Sequence, residues 1–363
     1  MQNTLDPYDA VLLLSFGGPE APEEVMPFLR RVTAGRGIPD ERLEQVGEHY
    51  HHFGGRSPIN DQNRALIAAL RAELDAREIE LPVLWGNRNS PPFLDDALRE
   101  AHASGHRRLL VITTSAYSCY SSCRQYRENL ADAAATVGEE GIELQIDKVG
   151  PYAPRPRFAE ANLGRVVDAM RALDGAPDDE VALLFVTHSI PMAMDETSGP
   201  GDGEGHLYQR QHLALASAIS EEAGRILGRD ITGELVFCSR SGPPSQPWLE
   251  PDVNDRIEEL AAAGTKTVVV APIGFVSDHM EVVYDLDTEA KETADRVGVE
   301  LVRVPTVGTD RRFVSDLVDA LIERAAEARG EGVPDYEGRR PSVCEPGCCP
   351  NLRQARPALC GRD

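Results

Sequence analysis

Short apolar runs alternate with amphipathic stretches along most of the chain. The apolar runs are rich in Val, Ile and Leu, which predicts strands; they cover residues 10–15, 82–86, 107–113, 142–148, 181–187, 233–238, 266–272 and 299–304. The stretches between them repeat apolar residues at helical spacing, most clearly from Phe158 to Leu173 and from Phe313 to Ala328. This alternation is typical of α/β proteins in which helical crossovers join parallel strands.

The pattern in the first half of the chain recurs in the second half. Three segments have counterparts in the same order: AVLLLSFGGP with ALLFVTHSIP, LWGNRNSPPFLDDAL with VFCSRSGPPSQPWLEPDV, and LLVITTSAYSCYSSCRQY with VVVAPIGFVSDHMEVVYD. Any two buried strands share some likeness, but the repeated S-x-P-P loops are harder to attribute to chance. We therefore expect an α/β protein with two similar Rossmann-like domains that face one cleft.

Changes in composition predict where the domains end. The proline-rich stretch from Gly150 to Pro156 is typical of a linker, so we expect one domain over residues 1–153 and a second over residues 154–330. After about Arg329 the periodicity vanishes and Pro, Gly, Arg and Cys dominate. This cysteine-rich extension, residues 331–363, should form little regular structure unless a metal organises it.

A stripe of acidic residues follows the strand that begins near Val268. If the chain is helical from Asp278, the carboxylates of Glu281, Asp285 and Glu289 lie on one side with a drift of about 40° per step. An exposed surface helix can carry such a stripe without any function. The stripe begins, however, beyond the carboxyl end of a buried strand, where open α/β sheets bind ligands. Carboxylates next to a histidine, His279, are a plausible path for a divalent cation.

His188 ends the strand that corresponds to the first strand of the other half. A single histidine after a strand is most often a hydrogen-bonded packing residue. The repeat places His188 and the Glu281 stripe at equivalent strand ends of one half, so both could face one ligand. An imidazole and a carboxylate can coordinate a metal and can also accept protons.

The charge excludes several classes of partner. Lys and Arg total 37 against 60 Asp and Glu, for a net charge of −23, which argues against nucleic acid and anionic membranes. The chain shows neither a signal peptide nor an apolar run of membrane-spanning length, so we expect a cytoplasmic protein without an integral membrane segment. Its cysteines number 7, and those after Val343 form a close group that is more typical of a metal site than of a disulfide framework.

Ordered motifs identify a resemblance to a known family. They are SFGGPE, GGRSPIN, AYSCYSSCRQY, THSIPM, SGPPSQPWL and PIGFVSDHMEVVYDLD. With them the chain resembles ferrochelatases, which insert Fe²⁺ into a porphyrin, over most of residues 8–330. The resemblance implies a two-domain chelatase fold with the macrocycle in the cleft. It also implies that His188 and Glu281 are the catalytic, iron-binding pair and that Asp285 and Glu289 form a path for the metal.

The same resemblance implies porphyrin contacts in the first half. Ser57 and Tyr126 match positions that hold the porphyrin in family members. Phe16 stands where some bacterial members have an iron-ligating tyrosine, and because phenylalanine cannot ligate, we expect it to be an apolar wall. Tyr50 could donate to a propionate or cap a helix. The neighbouring histidines His49, His51 and His52 are interpreted as a solvated turn in preference to a metal site.

The cysteines form a second group. Spacing alone suits a [2Fe–2S] cluster and zinc equally well, although C-x₃-C-C is not a zinc-finger pattern. Some ferrochelatases hold a [2Fe–2S] cluster with a cysteine-bearing extension and one cysteine of the body. This resemblance implies a cluster on Cys123, Cys344, Cys348 and Cys349, with Cys360 as a substitute, although ligation by two adjacent residues is awkward. Free thiols on a disordered tail are the alternative interpretation.

Together these observations predict a lyase that inserts Fe²⁺ into coproporphyrin III, giving Fe-coproporphyrin III for haem biosynthesis. The sequence has no membrane-binding apolar lip, which favours coproporphyrin III over protoporphyrin IX. Alternatives are a protoporphyrin IX ferrochelatase, a chelatase for another tetrapyrrole, and a non-catalytic haem or iron sensor with an iron–sulfur tail. The expected partners are the porphyrin, ferrous iron and, transiently, neighbouring enzymes of the haem pathway.

Overall fold

The structure is a computed structural model that describes residues 4–173, 175–242 and 245–362. Pro243 and Pro244, in the second S-x-P-P loop, lie outside the described residues. The chain forms parallel strands β1 to β8, at Ala10–Ser15, Val83–Asn87, Arg108–Thr113, Gln145–Lys148, Val181–His188, Gly233–Cys238, Thr267–Ala271 and Glu300–Arg303. The predicted strands are confirmed, although β4 begins three residues later than expected from its apolar run.

The strands form two sheets with the same order. The first sheet runs β2-β1-β3-β4 and the second runs β6-β5-β7-β8, with all pairs parallel. Each strand of the first sheet thus has a counterpart four strands later, which confirms the α/β fold with two similar halves. Because all strands are parallel, their carboxyl ends lie at one edge of each sheet.

Helices α1 to α12 connect and cover the strands. They span Pro22–Val32, Asp40–His52, Ile59–Ala76, Leu94–Ala103, Gln125–Gly138, Pro156–Arg171, Met192–Glu196, Leu207–Leu227, Val253–Ala263, Met280–Val283, Ala290–Val297 and Arg311–Ala328. A 3₁₀ turn covers Asp178–Glu180, and two π-helical segments cover Tyr120–Arg124 and Tyr284–Glu289. The predicted helices at Phe158 and Phe313 are α6 and α12, and the Asp310 carboxylate caps the latter.

The largest apolar core extends through both halves. It includes Val11 of β1, Phe185 of β5 and Phe313 of α12, all at most 1% exposed. Burying each Phe stabilises the fold by about 2 kcal/mol. Helix α12 packs against α3 of the first half and α6. Residues 149–155 connect β4 to α6, while the domain boundary at 153 stays a prediction.

The cysteine-rich extension has no helix or strand over residues 331–362, as predicted. It nevertheless contacts both halves through backbone bonds. Cys349 donates its N–H to the carbonyl of Gly199 at 2.9 Å, and Leu359 donates to the carbonyl of Arg127 at 3.2 Å. The extension is therefore folded against the body of the protein.

Candidate active site

His188 and Glu281 meet at the carboxyl edge of the second sheet. His188 is the last residue of β5, Glu281 lies in the first turn of α10, and His188 Nε2 is 3.6 Å from Glu281 Oε2. His188 Nδ1 donates to the carbonyl of Ser189, which leaves Nε2 directed at the carboxylate. The two side chains are 33% and 47% exposed, so a ligand can reach both.

His188 and Glu281 attract each other electrostatically, and each changes the pKa of the other. Burial lowers the pKa of His188, but the charge of Glu281 and its hydrogen bond more than offset this and raise the pKa to about 9. Burial raises the pKa of Glu281, whereas the charge and hydrogen bond of His188 lower it to about 2. Without a ligand the pair is therefore an imidazolium and a carboxylate at neutral pH.

Buried hydrogen bonds hold the backbone of His188. Tyr208 OH donates to the His188 carbonyl at 2.9 Å and lies 2.8 Å from Thr187 Oγ1. Thr187 Oγ1 is also 2.9 Å from His212 Nε2, and His212 Nδ1 donates to the Tyr208 carbonyl. A Cβ on Gly274 would lie 2.1 Å from Thr187 Oγ1, so this packing requires glycine. Sequence reasoning missed Tyr208 and His212, because their roles depend on these contacts.

The acidic stripe does not follow the single α-helix that its spacing predicted. Helix α10 ends at Val283 and a π-helical segment follows, so Asp285 and Glu289 lie at wider turns than expected. Asp285 is buried and accepts a hydrogen bond from Ser239 Oγ. Burial and the nearby Glu281 charge raise the pKa of Asp285 to about 7. The stripe thus offers one fully charged carboxylate and one that titrates near neutrality.

Residues of the first half contact the loop that carries Glu281. Ser57 Oγ accepts a hydrogen bond from Met280 N at 3.2 Å, and Gln62 Oε1 accepts one from Asp278 N at 2.9 Å. Ser57 thus lies next to the loop that carries Glu281, and its predicted porphyrin contact stays a prediction.

The expected histidine turn is wrong, because His49, His51 and His52 lie in the last turn of α2. His51 and His52 are exposed, as a solvated position requires. The ring of His49 instead stacks on Tyr284 at 3.8 Å between ring centroids.

Tyr126 and Phe16 lie in the first half, on either side of Arg88. The Arg88 guanidinium is 4.5 Å from the ring centroid of Tyr126 and 5.3 Å from that of Phe16. Tyr126 is only 4% exposed, and its predicted porphyrin contact stays a prediction. The motif containing Arg88 was apparent in the sequence, but its position between the two aromatic rings was not.

Four cysteine thiols lie next to one another, whereas the thiol of Cys360 points elsewhere. The thiol of Cys344 contacts those of Cys123 and Cys348, and Cys348 Sγ lies 3.9 Å from Cys349 Sγ. A cavity of about 30 Å³ adjoins these four residues. Cys360 Sγ instead faces the carbonyl of Ile146. Among residues 4–173, 175–242 and 245–362, no three His, Cys, Asp or Glu side chains are arranged to hold a single metal ion.

The fold defines the chain as a chelatase-type protein of two similar lobes. Solved structures of the chelatase SirB from Bacillus subtilis share this fold. One, with Fe³⁺, has a TM-score of 0.52 at 11% identity and covers 88% of this chain and 97% of its own. A second, a sirohydrochlorin chelatase in complex with cobalt, has a TM-score of 0.51 at 10% identity over the same shares.

The sequence comparison is more specific. The ferrochelatase family model matches residues 8–325, and the chain belongs to the ferrochelatase family of metal chelatases. It is 51% identical to the coproporphyrin III ferrochelatase of Streptomyces coelicolor, over 100% of this chain and 99% of that protein. It is 52% identical to the coproporphyrin III ferrochelatase of Leifsonia xyli, over 98% and 94%. Helices in the described part of the chain are all too short or too polar to cross a membrane.

Proposed function

We propose that the chain inserts Fe²⁺ into coproporphyrin III and that His188 and Glu281 carry the reaction. The similarity to coproporphyrin III ferrochelatases along the full chain supports the substrate. The contact of 3.6 Å between His188 Nε2 and Glu281 Oε2 is the observation that carries the site, because one ion bound between these atoms reaches both.

The pair exchanges protons for iron. When Fe²⁺ binds Glu281, it screens the charge that holds the proton on His188. That proton then leaves to water, and Nε2 is freed to ligate the ion. As the iron moves into the macrocycle, the full charge of Glu281 returns and the proton affinity of His188 rises again. His188 then accepts one pyrrole proton. Asp285, whose pKa is about 7, accepts the other.

The charge distribution supports a porphyrin with several carboxylates. Arg36, Arg88 and Arg353 lie close enough for their charges to interact. Within the described residues none of the three forms an ion pair with a carboxylate, although the chain is strongly acidic. Charge-assisted hydrogen bonds from such arginines suit propionates.

The substrate is tested with purified protein and anaerobic Fe²⁺. Coproporphyrin III and protoporphyrin IX are compared in separate reactions, and product is followed by absorbance. We expect faster insertion into coproporphyrin III. Faster turnover of protoporphyrin IX contradicts the proposed substrate, and porphyrin binding without metallation in either reaction would instead support the sensor alternative.

We further propose that Cys123, Cys344, Cys348 and Cys349 hold a [2Fe–2S] cluster. In such a cluster each iron takes two thiolates, so the relevant contacts are pairs of thiols and not a set around one ion. The left-handed backbone of Cys349, with φ of 50°, turns its side chain relative to that of Cys348, which supports ligation by both residues. Gly199 N donates to Cys349 Sγ at 3.2 Å, a contact that stabilises a thiolate. When bound, the cluster supplies one-electron chemistry.

The cluster is tested by iron and acid-labile sulfide analysis of anaerobically purified protein. Cys348→Ser should lose both. Cys360→Ser is the matched control and should retain them, because its thiol faces Ile146. Equal loss in both variants contradicts the ligand set, and zinc in place of iron contradicts the cluster.

We also propose a cytoplasmic location, which the seven free thiols support. Cell fractionation tests this location.

A further inference from the structure

Lys148 is a buried ammonium group in a chain that contains little lysine. Lys266 and Lys291, the other lysines, are exposed, whereas Lys148 is 3% exposed. Its Nζ donates to the carbonyl of Val149 at 2.7 Å, which satisfies one of three donors and leaves its charge unbalanced. A buried cation is costly unless an anion lies close to it.

The carboxylates nearby are engaged elsewhere. Asp147 precedes Lys148 on β4 and therefore points to the opposite face of the sheet. It accepts hydrogen bonds from Arg324 at 2.7 Å and from Tyr8 OH at 2.9 Å. Within the described residues Lys148 forms no ion pair with any carboxylate.

The groups that adjoin this part of β4 are thiols of the extension. Cys360 Sγ lies 3.5 Å from the carbonyl of Ile146, which precedes Lys148 by two residues on the same strand. Cys344, the central thiol of the proposed cluster site, donates its backbone N–H to the carbonyl of Cys360 at 3.3 Å.

Packing connects the end of β4 to the same site. Gly150 lies against the backbone of the extension, since an added Cβ would meet the carbonyl of Pro341 at 3.1 Å. Pro151 lines the cavity together with Cys123 and the cysteines at 344, 348 and 349. Lys148 therefore lies two residues before backbone that the extension covers, on the strand that leads to the cysteines.

We propose that Lys148 is the positioning residue that supplies the counter-charge for an anionic cluster held by the four cysteines. This inference rests on the proposed [2Fe–2S] site. A cluster with four thiolates is negatively charged and becomes more so on reduction, so a nearby fixed cation favours both retention of the cluster and its reduced form. The cluster in turn provides the anion that Lys148 lacks.

The inference is tested with Lys148→Met, which removes the charge and keeps the length of the side chain. Lys148→Arg retains a positive charge, and Lys266→Met removes an exposed one as the matched control. The readouts are iron and sulfide per chain, the reduction potential from a spectroscopic titration, and the Tm of each protein with and without its cluster.

Opposite effects are expected in the two forms of the protein. With the cluster, Lys148→Met should lower the potential by roughly 59 mV, a tenfold change in the one-electron equilibrium, and should lose iron and sulfide faster than wild type. Without the cluster, the same variant should melt at or above the wild-type Tm, because the unbalanced charge is gone. Lys148→Arg should recover most of the potential, and Lys266→Met should match wild type.

Three results would overturn the inference. An unchanged potential and cluster content in Lys148→Met, with the cluster present in wild type, rejects the role of Lys148 alone. A lower Tm of Lys148→Met in both forms shows a merely structural role. Wild-type protein that holds no iron and sulfide after anaerobic purification and reconstitution rejects the proposed cluster, and the role of Lys148 with it.

Discussion

The loops that follow β3 and β7 occupy equivalent places in the two halves, and both run into a π-helical segment. The first segment, Tyr120–Arg124, carries Cys123 towards the extension and leads into the helix of Tyr126. The second, Tyr284–Glu289, continues the helix of Glu281 and carries Asp285. One backbone arrangement thus presents thiols in one half and carboxylates in the other.

The side chains that contact the ends of β1 and β5 from below also differ between the two halves. Ser15, at the end of β1, accepts a hydrogen bond from Asn63 at 2.9 Å. Thr187, at the equivalent place in β5, contacts His212 at the same distance. The second half therefore has titratable groups both in its candidate site and beneath it, and the proposed proton chemistry lies in that half.

The largest expected effect is the loss of iron insertion when His188, at the end of β5, is replaced, compared with Phe16 at the equivalent place after β1. His188→Ala should lower iron insertion by about 100-fold or more, because it removes both a ligand and a proton acceptor, while porphyrin binding stays measurable. Phe16→Ala changes the equivalent residue after β1 and should cost less than about tenfold, because only apolar packing is lost. Anaerobic insertion assays and fluorescence titrations with porphyrin measure the two effects. Equal losses in both variants would contradict the proposal that the second half carries the chemistry.

The pH dependence of insertion sharpens the assignment of the pair. Insertion should rise as pH increases towards 9, because His188 must release its proton to bind iron and its pKa is about 9. Glu281→Gln removes the charge that raises this pKa, so the rising limb should move to lower pH while the maximum rate falls.

Anaerobic kcat/KM for Fe²⁺ measured across pH tests this shift. Glu289→Gln is the control, since Glu289 does not contact His188. A limb that stays in place in Glu281→Gln would show that His188 is not the titrating group.

The stability of the fold in acid should depend on His212. Burial lowers the pKa of His212 to about 3, whereas an unfolded histidine takes up its proton near pH 6.5. The unfolded state binds more protons between these values, so stability should be lost as pH falls below about 6.5, by on the order of a few kcal/mol in total. His212→Asn imitates Asn63 and should flatten this dependence in denaturant titrations at several pH values. An unchanged dependence would assign the acid sensitivity to another group.

The smallest expected effect concerns the contact between the halves. Ser57→Ala leaves Met280 N without its acceptor and should destabilise that loop by about 1 kcal/mol. Iron insertion should fall no more than about fivefold, mainly through KM for the porphyrin. Ser57→Thr, which keeps the hydroxyl, is the control. A loss as large as that of His188→Ala would place Ser57 in the chemistry itself.

The sequence predicted the parts of this protein that depend on local pattern. The strands followed from apolar runs, and the internal repeat was enough to predict that His188 and Glu281 lie at equivalent strand ends. The π-helical segments were not predictable, because residues four apart suit an α-helix equally well. Arg88, Tyr208 and Lys148 were also missed, since their surroundings come from segments far apart in the chain. The cysteines of the extension were singled out by their close spacing and Cys123 by the resemblance to ferrochelatases, and the cluster that they are proposed to hold stays a prediction.

The extension joins the two lobes through the backbone pairs of Cys349 with Gly199 and of Leu359 with Arg127. The contacts of Ser57 and Gln62 with the loop of Glu281 are single hydrogen bonds, each worth about 1 kcal/mol. The lobes also share the largest apolar core. Removing the extension should therefore loosen the join between the lobes without separating them.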